Sequence, residues 1–256
     1  MAEGSAFAPD WPAPAGVRAL CTTRAGGASV APFDRFNLGD HVRDEPAAVV
    51  ANRAALARLT APARPVFLQQ VHGTAVLHLG PETPDGAVAD AALVTVPGVA
   101  ATIMVADCLP VLFAHGSGRA VAAAHAGWRG LVGGVLEATA GALREAVGPG
   151  EVLAWLGPAI GPTAFEVGDE VRQAFVAADP AAAGHFRPHE TAGKWWANLP
   201  GLARQRLAAA GVAAVHGNDG GPGWCTVGQP SRFFSHRRDA ARLGSTGRFA
   251  ACVWLG

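Results

Sequence analysis

Residues 91–130 read AALVTVPGVAATIMVADCLPVLFAHGSGRAVAAAHAGWRG. Four short apolar runs lie inside this stretch: Ala91–Val96, Val99–Ala106, Pro110–Ala114 and Arg119–His125. Each has strand length and is bounded by Gly, Pro, Asp or His, so the stretch predicts successive β-strands. After Gly130 the period changes. Leu131, Val135, Leu143 and Val147 recur at fours or multiples of four, which predicts one helix face from Leu131 onward.

The same alternation of strand and helix extends outward in both directions. Upstream, Val17–Thr23 ends at Gly26-Gly27 as a strand closed by a turn, and Pro32–His41 reads as a long polar loop. Asp44 and Glu45 before Pro46 mark a helix start, with the helix running to about Leu59. Val66–Val71 and Ala75–Leu79 read as strands. Downstream, Val152–Leu156 is a strand closed by Gly157-Pro158, Gly168–Ala178 and Leu199–Ala210 are helical, and Ala213–His216 and Phe249–Trp254 are closing strands. Gly220–Gly223 is too short for an interdomain linker. The expectation is one α/β domain over residues 1–256, built on a mixed β-sheet. Residues 1–14, with Pro9, Pro12 and Pro14, form an extended lead-in.

Composition narrows the function classes. The apolar share is 50 %, ample for a core, and twenty basic residues balance twenty acidic ones. A nucleic-acid or membrane-surface protein shows a basic excess or stripe. The densest basic cluster, Arg232, His236, Arg237 and Arg238, is large enough for one phosphate and too small for a polyanion. No apolar stretch is long enough to span a bilayer, and the N-terminus has no secretory pattern. The four cysteines, Cys21, Cys108, Cys225 and Cys252, form no CxxC pair and no disulfide framework. We therefore expect a cytoplasmic protein, a monomer, with neither nucleic-acid nor membrane partners.

Three segments place a metal-ligand side chain at the end of a predicted strand: Gln69-Gln70-Val71-His72-Gly73, Ala106-Asp107-Cys108-Leu109-Pro110 and Ala124-His125-Ala126-Gly127-Trp128-Arg129-Gly130. Zinc favours thiolate and imidazole, and three protein ligands leave a fourth position for water or substrate. The ligands are far apart in the chain, so only a folded sheet brings them together. Spacing alone leaves each residue an ordinary alternative: a loop histidine, a buried thiol, Asp107 as a turn cap, Arg129 as a surface charge.

These runs resemble those of the YfiH family, also called the multicopper polyphenol oxidase or laccase-domain family, which includes peptidoglycan editing factors and purine nucleoside phosphorylases. Thr23-Arg24-Ala25-Gly26-Gly27, Asn37-Leu38-Gly39-Asp40-His41, Leu156-Gly157-Pro158, Phe165-Glu166-Val167-Gly168, Phe233-Phe234-Ser235-His236-Arg237-Arg238-Asp239 and Thr246-Gly247-Arg248 carry the likeness from about residue 11 to the C-terminus. It implies a layered α/β/α domain with metal ligands His72, Cys108 and His125. It also implies phosphorolysis of adenosine, inosine and methylthioadenosine, together with adenosine deamination. The chain departs from the pattern at His236, where Tyr is common, and at Asn198, where Asp is usual.

For such chemistry a carboxylate must move a proton, and Asp107 is the candidate because it adjoins Cys108. Phosphate suits the planar fork of arginine, with Arg129, Arg237, Arg238 and Arg24 the candidates in that order. Asn37 and His41 are further substrate-binding candidates. The expected partners are thus a purine nucleoside and inorganic phosphate, and the expected metal is Zn2+, with Cu2+ as the other ion this donor set takes. Four-copper oxidation needs HxH pairs, which the chain lacks. Two alternatives stay open. In one, Cys108 is the nucleophile of a hydrolase (amidase or esterase) editing peptidoglycan precursors. In the other, His41 or His115 closes the site as a fourth ligand of a binding module.

Overall fold

The computed structural model describes residues 4–212 and 214–256; Met1 to Glu3, at the head of the expected lead-in, and Ala213, the first residue of the expected strand 213–216, lie outside them. Two large mixed sheets dominate. The first runs in the order β1 (Ala6–Phe7), β2 (Val17–Thr22), β14 (Phe249–Leu255), β6 (Val99–Val105), β3 (Arg64–Phe67). The second runs β13 (Ala214–Gly217), β9 (Val152–Leu156), β7 (Leu109–His115), β8 (Val121–Ala126), β5 (Ala91–Val94), β4 (Val76–Leu79). In each, antiparallel pairing is broken by parallel pairs at the edges, β3 with β6, β4 with β5 and β13 with β9.

The α/β class holds, and the β layer between the helices is doubled. Strands β5 to β9 are buried along their whole length. Alternate residues of the two sheets meet in a shared core that includes Ile103, Leu112, Trp155, Phe249 and Val253. The opposite face of the first sheet packs on α1 (Pro46–Thr60) through Leu56, Met104 and Trp254. That of the second packs on α2 (Trp128–Gly133), α3 (Val135–Val147), α4 (Asp169–Ala178) and α5 (Leu199–Ala209). Runs apolar on both faces carry no mark of which sheet they join, so the doubling was not readable from them.

Local departures have local causes. The helix expected from Leu131 is broken at Gly134, which adopts φ 100° and separates α2 from α3; a residue with a Cβ disfavours that conformation. The strand expected over 66–71 ends at Phe67. A small antiparallel sheet of β10 (Glu166–Gly168), β12 (Lys194–Ala197) and β11 (Phe186–Pro188), and α6 (His236–Leu243), had no counterpart in the sequence reading. The long loop before α1 is pinned by Asn52, whose amide donates to Asn37 O at 2.7 Å and whose carbonyl accepts from Ala28 N at 2.8 Å. Among the described residues no helix is long and apolar enough to cross a membrane.

Candidate metal centre

The chain passes from the first sheet to the second between β6 and β7, and Ala106-Asp107-Cys108 makes that crossing. Asp107 takes φ 93°, a conformation that costs a non-glycine residue energy and persists only where its surroundings hold it. They do. Thr226 Oγ1 donates to Asp107 Oδ1 at 2.5 Å, and the backbone N–H of Arg237, in the first turn of α6, donates to Oδ2 at 2.6 Å. Cys108 is thereby delivered to the head of β7, whose Leu109 and Pro110 face Ala126 and His125 of β8.

His72 comes from a different direction. Its segment follows β3, and Gln70 extends that strand's contact with β6 by exchanging two hydrogen bonds with the Met104 backbone, at 2.8 and 2.9 Å. His72 itself has φ 62°. The turn is clamped by Asp90, which is fully buried and accepts from the N–H groups of Val71, His72 and Gly73 at 3.1, 2.9 and 2.6 Å. The same carboxylate meets His125 Nδ1 at 2.8 Å. One acid therefore orients both histidines, and its bond to Nδ1 leaves His125 Nε2 as the ligand nitrogen.

The donor atoms of His72, Cys108 and His125 all lie within 4.8 Å of one another. Cys108 Sγ stands 3.7 Å from His72 Nε2. Two such ligands on a tetrahedral zinc stand about 3.6 Å apart, from the usual bond lengths and angle. The two imidazoles meet edge to face with centroids 4.7 Å apart. Gly127 completes the cradle, since a Cβ there would come within 2.6 Å of His72 Cδ2 and 3.0 Å of Cys108 Sγ. Charge agrees with geometry. Burial pushes the Cys108 thiol up, but the charge and hydrogen bond of His125 and the hydrogen bond of His72 outweigh it and bring it to about 6. Burial likewise opposes a charged His125, yet the Cys108 charge and the Asp90 hydrogen bond raise it to about 9. The site thus collects a cation between a thiolate and a carboxylate, and a divalent metal fits that demand. Among the described residues the group has three members; His41 and His115 are not among them.

The triad opens on a cavity of about 880 Å³, within the size range of small-molecule sites. Of the residues singled out in the sequence, Asp107, Arg129, Arg237 and His41 line it, together with Arg53, His236 and Arg248. Phe67, Ile160, Phe165, Leu199 and Trp128 supply apolar wall. Three candidates are not brought to it. Asn37 is fully buried and holds backbone, bonding Gly39 and Arg248 through Oδ1 and Gly39 and Asp44 through Nδ2. Arg238 is spent on Asp239 and on the Thr226 and Phe233 carbonyls. Arg24 is spent on Asp34 and Pro230. The basic cluster read from the sequence therefore divides: His236 and Arg237 line the cavity, and Arg232 lies over Phe7 and Phe233 instead. Asp90 and Arg248 were missed as contributors to the site. A lone acid between Ala89 and Ala91 at the head of an apolar run was the available signal for Asp90.

Residues 18–256 match the family model described as multi-copper polyphenol oxidoreductase laccase. A purine nucleoside phosphorylase of Pseudomonas aeruginosa is 55 % identical over 249 residues, covering 96 % of this chain and 97 % of the relative. The purine nucleoside phosphorylase YfiH of Escherichia coli is 49 % identical over 248 residues, with coverage of 96 % and 97 %. The crystal structure of a Neisseria meningitidis protein superposes with a TM-score of 0.88 at 46 % identity, covering 98 % of this chain and 99 % of that one.

Proposed function

The chain belongs to the family described as multi-copper polyphenol oxidoreductase laccase, and on that premise we propose that it is a zinc-dependent purine nucleoside phosphorylase acting on adenosine, inosine and methylthioadenosine, with adenosine deamination as a second reaction. The phosphorylase names of its relatives support the reaction class. The observation that carries the reading is the convergence of His72, Cys108 and His125 on one point of a cavity lined by cations and apolar side chains.

Phosphorolysis breaks the bond between the purine nitrogen and C1′ of the ribose while a phosphate oxygen bonds to C1′. Positive charge develops on the sugar, and the base leaves with the bonding electron pair and needs a proton. Zinc, when bound, supplies Lewis acidity toward an oxygen of water or substrate. The other tasks fall to side chains. The apolar wall at Ile160, Phe165 and Leu199 receives the base, and Arg129 and Arg237 draw the phosphate. His41, which also lines the cavity, reaches the sugar. Asp107 moves the proton in either reaction. Its two oxygens each keep a lone pair beyond the bonds to Thr226 and Arg237. Three ligands suit one zinc or, as the second choice, one copper. The hydrolase reading has less support, because two imidazoles flank Cys108 as they would flank a ligand and the relatives above carry phosphorylase names.

The decisive assay supplies inosine and inorganic phosphate to metal-loaded protein and follows hypoxanthine and ribose 1-phosphate. Both products are expected, abolished by a chelator and restored by zinc. Metal-loaded protein that leaves inosine intact would overturn the reading. Adenosine without phosphate should yield inosine if the second reaction holds.

A further inference from the structure

Most cations of the cavity are already engaged or exposed. Arg53 pairs with Asp40 at 3.0 Å and donates to Leu38 O at 3.0 Å. Arg237 donates to the carbonyls of Ala164 and Glu166 at 3.4 and 3.0 Å. Arg129 is exposed and its guanidinium carbon lies over Trp128, 4.4 Å from the ring centroid. Arg248 differs from all three. It is half-buried at the cavity wall, and its Nη1 donates to Thr246 O and Gly247 O at 3.0 and 3.1 Å. Among the described residues its Nε and Nη2 have no hydrogen-bond partner, and no carboxylate lies within ion-pair distance. Arg248 lines the same cavity as Cys108 and Asp107.

A half-buried guanidinium cannot shed its proton and loses hydration without compensation. The surrounding structure nevertheless fixes its place. Asn37 Oδ1 accepts from Arg248 N at 2.8 Å and from Gly39 N at 2.9 Å, and Leu38 N donates to Arg248 O at 3.0 Å. A Cβ at Gly39 would stand 2.8 Å from Arg248 Cγ, so only glycine leaves room for the arginine stem. Two sequence motifs, Asn37-Leu38-Gly39 and Thr246-Gly247-Arg248, thus cooperate to hold one cation at the cavity wall with the nitrogens Nε and Nη2 left free. Two donors on a planar fork match two oxygens of a phosphate.

We infer that Arg248 anchors an oxyanion subsite beside the metal centre, taking inorganic phosphate in the forward direction and the phosphoryl group of a pentose 1-phosphate in reverse. The choice of ligand rests on the phosphorylase reading; the anion site itself rests only on the arginine and its surroundings.

The test uses metal-loaded wild-type protein, Arg248→Met, Arg248→Lys and Gly39→Ala. Binding of inorganic phosphate is followed by calorimetry without nucleoside, and KM for phosphate and for inosine is measured separately. Losing charge-assisted bonds of this kind should raise the phosphate KM of Arg248→Met by roughly ten- to a hundredfold and weaken phosphate binding in parallel. The inosine KM and metal content should stay unchanged. Arg248→Lys should recover part of the loss, and Gly39→Ala should raise the phosphate KM with the charge retained. Folded Arg248→Met with unaltered phosphate binding and KM overturns the inference. Where that variant does not fold, an unaltered phosphate KM in both Arg248→Lys and Gly39→Ala overturns it. Should the wild type make no pentose 1-phosphate, the phosphorylase reading fails. Phosphate binding lost in Arg248→Met would then still establish the subsite, and binding kept there would remove it.

Discussion

Asp90 joins two segments that the sequence keeps apart. Its Oδ1 receives His72 N and the imidazole of His125, and its Oδ2 receives the N–H groups of Val71 and Gly73. Four donors for one carboxylate is a demand that an amide cannot meet, because asparagine offers a single acceptor oxygen. Asp90→Asn should therefore weaken zinc binding by about ten- to a hundredfold, as loss of a ligand's supporting partner commonly does. Competition against a chromogenic chelator measures this, and an unchanged affinity would show that the turn holds without the acid. At this scale the sequence was informative where chemistry is written in residue type. Soft donors at His72, Cys108 and His125 stood at predicted strand ends and the family resemblance singled them out as ligands, whereas the arginines did not sort. Arg238 is consumed by Asp239, its neighbour in the chain, and by the carbonyls of Thr226 and Phe233, while Arg248 keeps Nε and Nη2 open, and the letters do not say which basic side chain the fold turns onto its neighbours.

Among the elements, α6 shows what a local reading can and cannot recover. Arg232, His236, Arg237 and Arg238 read as a basic cluster, yet Ser235 caps the helix by accepting from Arg238 N at 3.1 Å, and Gly244 closes it at φ 77°. Serine before the first turn and glycine after the last were the available signals. The strands of 91–130 were legible because each apolar run is bounded by Gly, Pro, Asp or His; their partition between two sheets was not. The helix also carries a titrating group. Asp239 is buried, which raises its pKa, but the hydrogen bond and charge of Arg238, with Arg24 and Thr246, hold it below its ordinary value. A carboxyl depressed on folding stabilises the native state above its unfolded pKa and loses that contribution as pH falls through the folded one. Acid titration of urea-unfolding midpoints should therefore show wild type falling more steeply than Asp239→Asn below about pH 4, with the gap between them closing. Parallel curves would assign the pairing no net role.

For the molecule as a whole, the consequence of doubling the β layer is that the candidate metal centre sits at a seam. His72 trails the first sheet, Cys108 rides the crossing, and His125 belongs to the second sheet. An ion that binds only the folded chain raises its stability by mass action, by about 2.7 kcal/mol at a free concentration a hundred times its Kd. Zinc added to stripped protein should raise Tm in a concentration-dependent way, seen by scanning calorimetry, and a flat response would mean that the three donors hold no ion. The crossing at Asp107 has a mechanical corollary. Only three residues lead from one slab to the other there, with no slack loop to absorb a slide, so a relative displacement of the slabs would be felt first in the spacing of sulfur and nitrogen. The alignment of the three donors and the registry of the two halves of the core are in that sense a single adjustment, made at one hinge-free joint.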